Sequence, residues 1–211
     1  MELKLLFFIL ISIHLGCNSQ TKEIEKAQNT NSTEFFCDTT DFDIFNFFDK
    51  SKIDRYCNEI ERFKRLDEMN PPSDSAVLFV GSSTIRQWRD IENNFAPMPV
   101  INRGFGGSTF PELIFYAEDI IFSYNPKIIV IYEGDNDQYF LSPYEIKLCA
   151  CYLTMKILQI LPNTDIYLIS VKPSPARKEK IKSSIITNDY LRQISENSEK
   201  IHYIDTWSAM I

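Results

Sequence analysis

Apolar residues in this chain gather into short unbroken runs, separated by longer stretches in which they recur at helical spacing. Residues 76–80 (Ala-Val-Leu-Phe-Val) form one such run, bounded by turn residues, as expected of a strand buried on both faces of a sheet. Further runs predict strands at 100–101, 127–132, 165–170 and 201–204, with Ile-Ile-Val-Ile at the centre of 127–132. Between the strands, the spacing predicts helices near 84–93, 110–124, 143–161 and 178–197. Ser142-Pro143-Tyr144-Glu145 is a capping box with proline at the first helical position, which fixes the start of the 143–161 helix. An earlier helix over 51–67 carries Ile53, Tyr56, Ile60 and Phe63 at helical spacing and is stopped by Asn70-Pro71-Pro72. Strands alternating with helices imply an α/β domain over 51–211, a parallel sheet covered on both faces. Residues 35–48 are dense in aromatics yet follow neither period.

The start of the chain reads as a targeting segment. Lys4 is followed by an apolar stretch from Leu5 to Leu15, too short to span a bilayer comfortably. It ends in Leu15-Gly16-Cys17 and turns polar at Asn18-Ser19-Gln20, which resembles a bacterial lipoprotein signal over 1–17 with a lipid carried on Cys17. His14 and Glu2 depart from that pattern, and an ordinary secretory signal or a simple N-terminal anchor is the alternative. Each reading places the domain outside the cytoplasm, in the cell envelope; the lipoprotein reading holds it to the membrane. Residues 18–34 are polar and read as a tether; with the aromatic segment they make up a leader over 18–50.

A formal charge of −7 without clustered Lys and Arg argues against a nucleic-acid partner. The one dense basic run, 177–182, reads as a solvated helix start. An exported chain can form disulfides, and Cys37 and Cys57, which flank the aromatic segment, could pair. Cys149 and Cys151 point in different directions on their predicted helix and read as small buried hydrophobes. No cofactor is expected. No cysteine spacing suits zinc, and Asp135 and Asp137 lack calcium-loop spacing. Residues 104–109 lack the last glycine of a dinucleotide fingerprint, and there is no P-loop.

The candidate chemistry lies where the glycines are. Of six, Gly16 sits beside Cys17 and the other five all follow predicted strands. In open parallel sheets that edge is where ligands bind. The first strand leads into Gly81-Ser82-Ser83 and the second into Asn102-Arg103-Gly104-Phe105-Gly106-Gly107-Ser108. The third leads into Glu133-Gly134-Asp135-Asn136-Asp137 and the fourth into Lys172-Pro173-Ser174-Pro175. A serine at a strand-to-helix turn can act as nucleophile in acyl transfer, with its own N–H, a glycine N–H and the Asn136 amide as oxyanion donors. The residues alone leave Ser82 against Ser83, and Gly106 against Gly107, undecided.

Residues 77–88, Val-Leu-Phe-Val-Gly-Ser-Ser-Thr-Ile-Arg-Gln-Trp, are similar to the first signature of the SGNH hydrolases, the GDSL-like esterases and lipases. Residues 101–108 resemble the second signature, Gly134-Asp135-Asn136-Asp137 resembles the third, and 172–177 resembles a stretch of one bacterial branch. Ser82 stands where the family usually carries Asp. The resemblance implies a three-layer, flavodoxin-like domain that hydrolyses carboxylic esters of carbohydrate or lipid. It implies Ser83 as nucleophile, with Gly107 N–H and the Asn136 side chain as oxyanion donors. Arg103, Trp88 and Lys172 are candidates to line the substrate. The family's base is a histidine three residues after an aspartate, and no such pair is present. His202 falls inside the fifth strand, and Asp205 has no histidine three residues on. The chain ends seven residues after that strand, so the expectation is a shortened form with its last helix missing and its hydrolysis impaired. The alternative is a non-catalytic surface lipoprotein that binds an acylated glycan or lipid.

Overall fold

Runs of apolar residues too short for a helix satisfy their backbone groups by pairing side by side, and five of them do so in the computed structural model of this protein. The structure describes residues 37–211. The signal, Cys17 and the tether therefore lie outside the described residues. The strands are β1 (Val77–Gly81), β2 (Val100–Gly104), β3 (Ile128–Tyr132), β4 (Asp165–Ile169) and β5 (Ile201–Ile204). All pairings are parallel, in the order β2-β1-β3-β4-β5. The direction of strand addition reverses between β1 and β3, which opens a crevice above their carboxyl ends. This is the flavodoxin-like α/β architecture expected from the sequence.

The helices are α1 (Lys50–Asp54), α2 (Cys57–Met69), α3 (Ser83–Arg86), α4 (Ile91–Phe95), α5 (Phe110–Phe115), α6 (Pro143–Ile160) and α7 (Ile181–Glu196). Alternation along β1 explains its uninterrupted apolar sequence. Leu78 and Val80 face the larger core, with Ile60, Leu113, Leu153 and Leu191. Val77 and Phe79 face a smaller one, with Ile85, Ile91, Trp88 and Phe95. On that smaller side Tyr167, Ile169 and His202 are half-buried and Ile204 is exposed, so the cover thins toward β5. Helix α7 also leaves Ile185 and Ile186 exposed.

Three expected helices are interrupted. The 84–93 stretch divides into α3 and α4 because Trp88 packs edge-on against Phe79 and Phe95, with ring centroids 5.9 and 5.7 Å away, and donates Nε1–H to Asn94. The 51–67 stretch divides at Arg55-Tyr56, and 110–124 passes from α5 into a separate turn over Glu118–Phe122. The aromatic segment belongs to the folded unit rather than standing ahead of it. Ile44 is buried, and Phe42, Phe47 and Phe48 pack on the larger core.

Cysteine pairing also differs from expectation. Cys37 bonds to Cys151 on α6, with Cα atoms 5.3 Å apart, whereas Cys57 is free and lies 3.4 Å from the Tyr116 hydroxyl. Because the aromatic segment folds back onto α6, Cys37 reaches a residue 114 positions away instead of its nearer neighbour. Closing so long a loop restricts the unfolded chain. Cys151→Ser is expected to lower stability by about 2–4 kcal/mol. Cys57→Ser should stay within about 0.5 kcal/mol of the parent. Urea unfolding with and without reductant checks both; a midpoint indifferent to reductant would contradict the bridge.

Candidate active site

The nucleophile turn depends on a residue without a side chain. Gly81 ends β1 at φ +126°, where a Cβ would lie 2.1 Å from the Tyr132 carbonyl oxygen. Any other residue would force β1 and β3 apart. The chain then turns, with Ser82 N–H bonded to Tyr132 O at 3.1 Å, and α3 begins at Ser83. The two serines are not equivalent. Ser82 is buried and its hydroxyl lacks a partner. Ser83 is half-buried, and its hydroxyl makes no hydrogen bond among the described residues. Only Ser83 can meet a ligand from solvent.

Gly81 is in register with Gly104 of β2 and with Tyr132 of β3. The three strand ends thus present Ser83, Gly107 and Asn136 at one edge of adjoining strands. Further bonds fix the loops to each other. Phe105 N–H reaches Gly81 O at 2.9 Å, and Asn102 donates Nδ2–H to Ile85 O in α3 at 2.9 Å. Gly107 has φ +86°, a conformation that exposes backbone and disfavours other residues, and its carbonyl accepts from Arg55 at 3.1 Å. Asn136 donates Nδ2–H to Ser108 O at 2.9 Å and accepts from Arg177 Nη2 at 2.8 Å. One Nδ2 hydrogen is left over. Asp137 accepts from Phe110 N–H at 2.8 Å and Gly134 N–H at 2.9 Å, which clamps the second loop to the third.

Lys172 belongs to this edge: its Nζ donates to Thr84 Oγ1, next to Ser83, at 2.8 Å. Arg103 does not. Its guanidinium is buried, ion-pairs with Asp67, and donates to Tyr124 OH at 2.6 Å and to Asn102 O at 2.9 Å. Trp88 is likewise engaged in packing, as described above, so both side chains hold the scaffold. His202 lies toward the opposite edge, beside Tyr167 and 3.3 Å from Asp165 at the start of β4. Asp205 is at the correct edge but accepts from Ser208 N–H at 3.0 Å and Ser208 Oγ at 2.6 Å. Arg177 bonds Asp135 Oδ2 at 2.6 Å as well as Asn136. Arg55 and Arg177 are site-edge residues that pattern alone did not single out.

Beneath the loops lie buried carboxyls. Glu133 accepts from Ser108 Oγ through one oxygen, while the other has no partner. Burial, reinforced by the nearby Asp137 charge, pushes its pKa well above the usual carboxylate range. Burial also raises Asp137 to about 7 and raises Asp135, the latter against the pull of Arg177. Among the described residues no group of three or more His, Cys, Asp and Glu side chains forms a metal site.

No family model matches the sequence, and no curated protein matches it. Solved structures do. One from Streptococcus pneumonia, described as a proposed platelet activating factor, aligns at TM-score 0.65 and 15% identity, over 77% of this chain and 80% of that one. A proposed acylhydrolase from Bacteroides fragilis aligns at 0.59 and 20% identity, over 78% and 81%. A GDSL-like lipase from Bacteroides thetaiotaomicron aligns at 0.57 and 18% identity, over 72% and 80%. At these identities the likeness establishes the fold.

Glu133 and Asp137 hold protons more tightly in the folded chain than in the unfolded one. Their contribution is fully present below the unfolded carboxylate pKa and is lost as pH rises through the folded values. Urea-unfolding stability should therefore fall as pH is raised from about 5 to about 8. Glu133→Gln retains an acceptor for Ser108 but cannot titrate, so it should flatten that slope. An unchanged slope in the variant would contradict the assignment.

Proposed function

We propose that this chain is an SGNH-type serine esterase acting on carboxylic esters of carbohydrate or lipid, exported and lipid-anchored through Cys17. The observation that carries the reading is the accessible, unbonded Ser83 hydroxyl at the β1/β3 crevice, over the same strand ends as Gly107 and Asn136. The fold shared with a lipase and a proposed acylhydrolase supports it. Ser83 Oγ would attack the acyl carbonyl, and the Ser83 and Gly107 N–H groups with Asn136 Nδ2 would receive the developing oxyanion. The alcohol leaves, and water then releases the acid from Ser83. The Cys37–Cys151 bridge supports an oxidising compartment, in keeping with export.

Among the described residues no histidine stands beside Ser83 to take its proton. The described part of this chain has one histidine, His202, and it sits toward the far edge of the sheet. Proton transfer to a positioned base is worth roughly 100- to 10,000-fold, so turnover that relies on the described residues alone should be slow. The same observation favours a second reading, in which the pocket binds an acylated glycan or lipid without cleaving it.

Hydrolysis of 4-nitrophenyl acetate by the full chain separates the two. The expected result is slow turnover above background that disappears in Ser83→Ala and persists in Ser82→Ala. Asn136→Ala should lower it on the order of 100-fold. Turnover equal in parent and Ser83→Ala would remove the esterase reading and leave binding alone.

A further inference from the structure

The chain is acidic overall, with a formal charge of −7, yet the side chains around the candidate site are cationic. Each of its parts carries one. Lys172 Nζ bonds Thr84 Oγ1, the neighbour of Ser83, at 2.8 Å. Arg86 lies one helical turn from Ser83 in α3, and its Nη1 is so close over the second loop that a Cβ on Gly106 would lie 2.6 Å from it. Arg55 extends from the junction of α1 and α2 to the Gly107 carbonyl at 3.1 Å. Arg177 holds the Asn136 carboxamide oxygen at 2.8 Å.

Of these four, only Arg177 forms an ion pair among the described residues: it pairs with buried Asp135, whose charge also acts on Lys172. Lys172, Arg86 and Arg55 form no ion pair there. Their hydrogen-bond partners, where present, are hydroxyls or a carbonyl. The other nearby carboxyls lie beneath the loops. Glu133 is bonded to Ser108 and Glu112 to Thr109, and Asp137 is occupied by two backbone N–H groups. Burial favours the neutral forms of Glu133 and Asp137. A hydrophobic or neutral ester would leave Arg86 and Arg55 without an anionic partner and Lys172 with only its share of the Asp135 charge. An anion would pair with them, because a patch of one sign concentrates ligands of the other.

We infer that the candidate site takes an ester bearing a fixed negative charge, carboxylate or phosphate, close to the acyl group. The inference rests on the esterase-or-binding pocket proposed above and names its ligand class. A carboxylate would come from an acylated acidic sugar and a phosphate from a phospholipid; the ring of cations suits either.

Binding to the full chain carrying Ser83→Ala, measured by titration calorimetry, tests this without depending on hydrolysis. One ligand pair is an acetylated methyl glucuronide and the corresponding methyl glucoside. The other is a lysophosphatidate and the matching monoacylglycerol. The charged member of at least one pair should bind about tenfold more tightly or better at low salt. The preference should shrink toward parity near 1 M salt, where the screening length is about 3 Å. Adding Arg86→Gln or Lys172→Gln should cut the charged-to-neutral ratio several-fold, with unfolding midpoints confirming that each variant is folded. The pair that discriminates identifies the source of the charge. Equal affinities in both pairs, a preference untouched by both substitutions, or no binding of any ligand would overturn the inference. A Ser83-independent 4-nitrophenyl acetate rate, by contrast, would count against the esterase reading and leave this one standing.

Discussion

One carboxamide keeps the loops of the candidate site in register. Asn136 stands between a guanidinium, which can only donate, and a carbonyl, which can only accept. The two partners therefore settle which end of the amide faces which loop, and no flipped arrangement satisfies both. For the esterase reading proposed above, the consequence would be preorganisation. A donor already oriented by protein groups need not be reoriented as charge develops on a substrate, whereas a water molecule would. Gly81 has the complementary role in the backbone, because it lets β1 stay against β3 while the chain turns into α3.

The underside of this edge is unusual for a protein core. Glu112, Glu133, Asp135 and Asp137 are all buried there. Each nonetheless has a use for at least one oxygen: Thr109, Ser108, Arg177, and the backbone of Phe110 and Gly134. Carboxyl oxygens are good acceptors, and here they hold hydroxyl and backbone N–H groups of the loops from beneath. The unpartnered oxygen of Glu133 is tolerable only because burial favours its neutral form.

The sheet and its strand-end loops were legible because their signals are local. A run such as Ile-Ile-Val-Ile, or a glycine at a strand end, declares itself within a few residues. The choice of Ser83 over Ser82 rests on the family resemblance; in the structure Ser82 is buried and Ser83 half-buried. What the sequence concealed depends on distant contacts. Arg103 looked available until Asp67, 36 positions earlier, was found beside it. Arg55 reaches Gly107 across 52 positions, so no spacing rule could have linked them. The breaks in the expected helices follow the same logic, since Trp88 leaves the helical path to pack against Phe79 from β1. Cysteine pairing followed the folding back of the aromatic segment, which has no periodic signature.

The Cys37–Cys151 bridge joins the first described residue to the middle of the long helix α6. Tension applied along the residues before Cys37 would pass through this covalent link into a fully packed helix. It would bypass α1 and the Arg55 contact that touches the second loop. With the bridge reduced, the same pull would instead load the 38–49 segment and, through it, α1 and the Arg55 contact with the second loop. The sulfur link thus acts as a strain relief, separating mechanical load at Cys37 from the geometry of the strand-end loops.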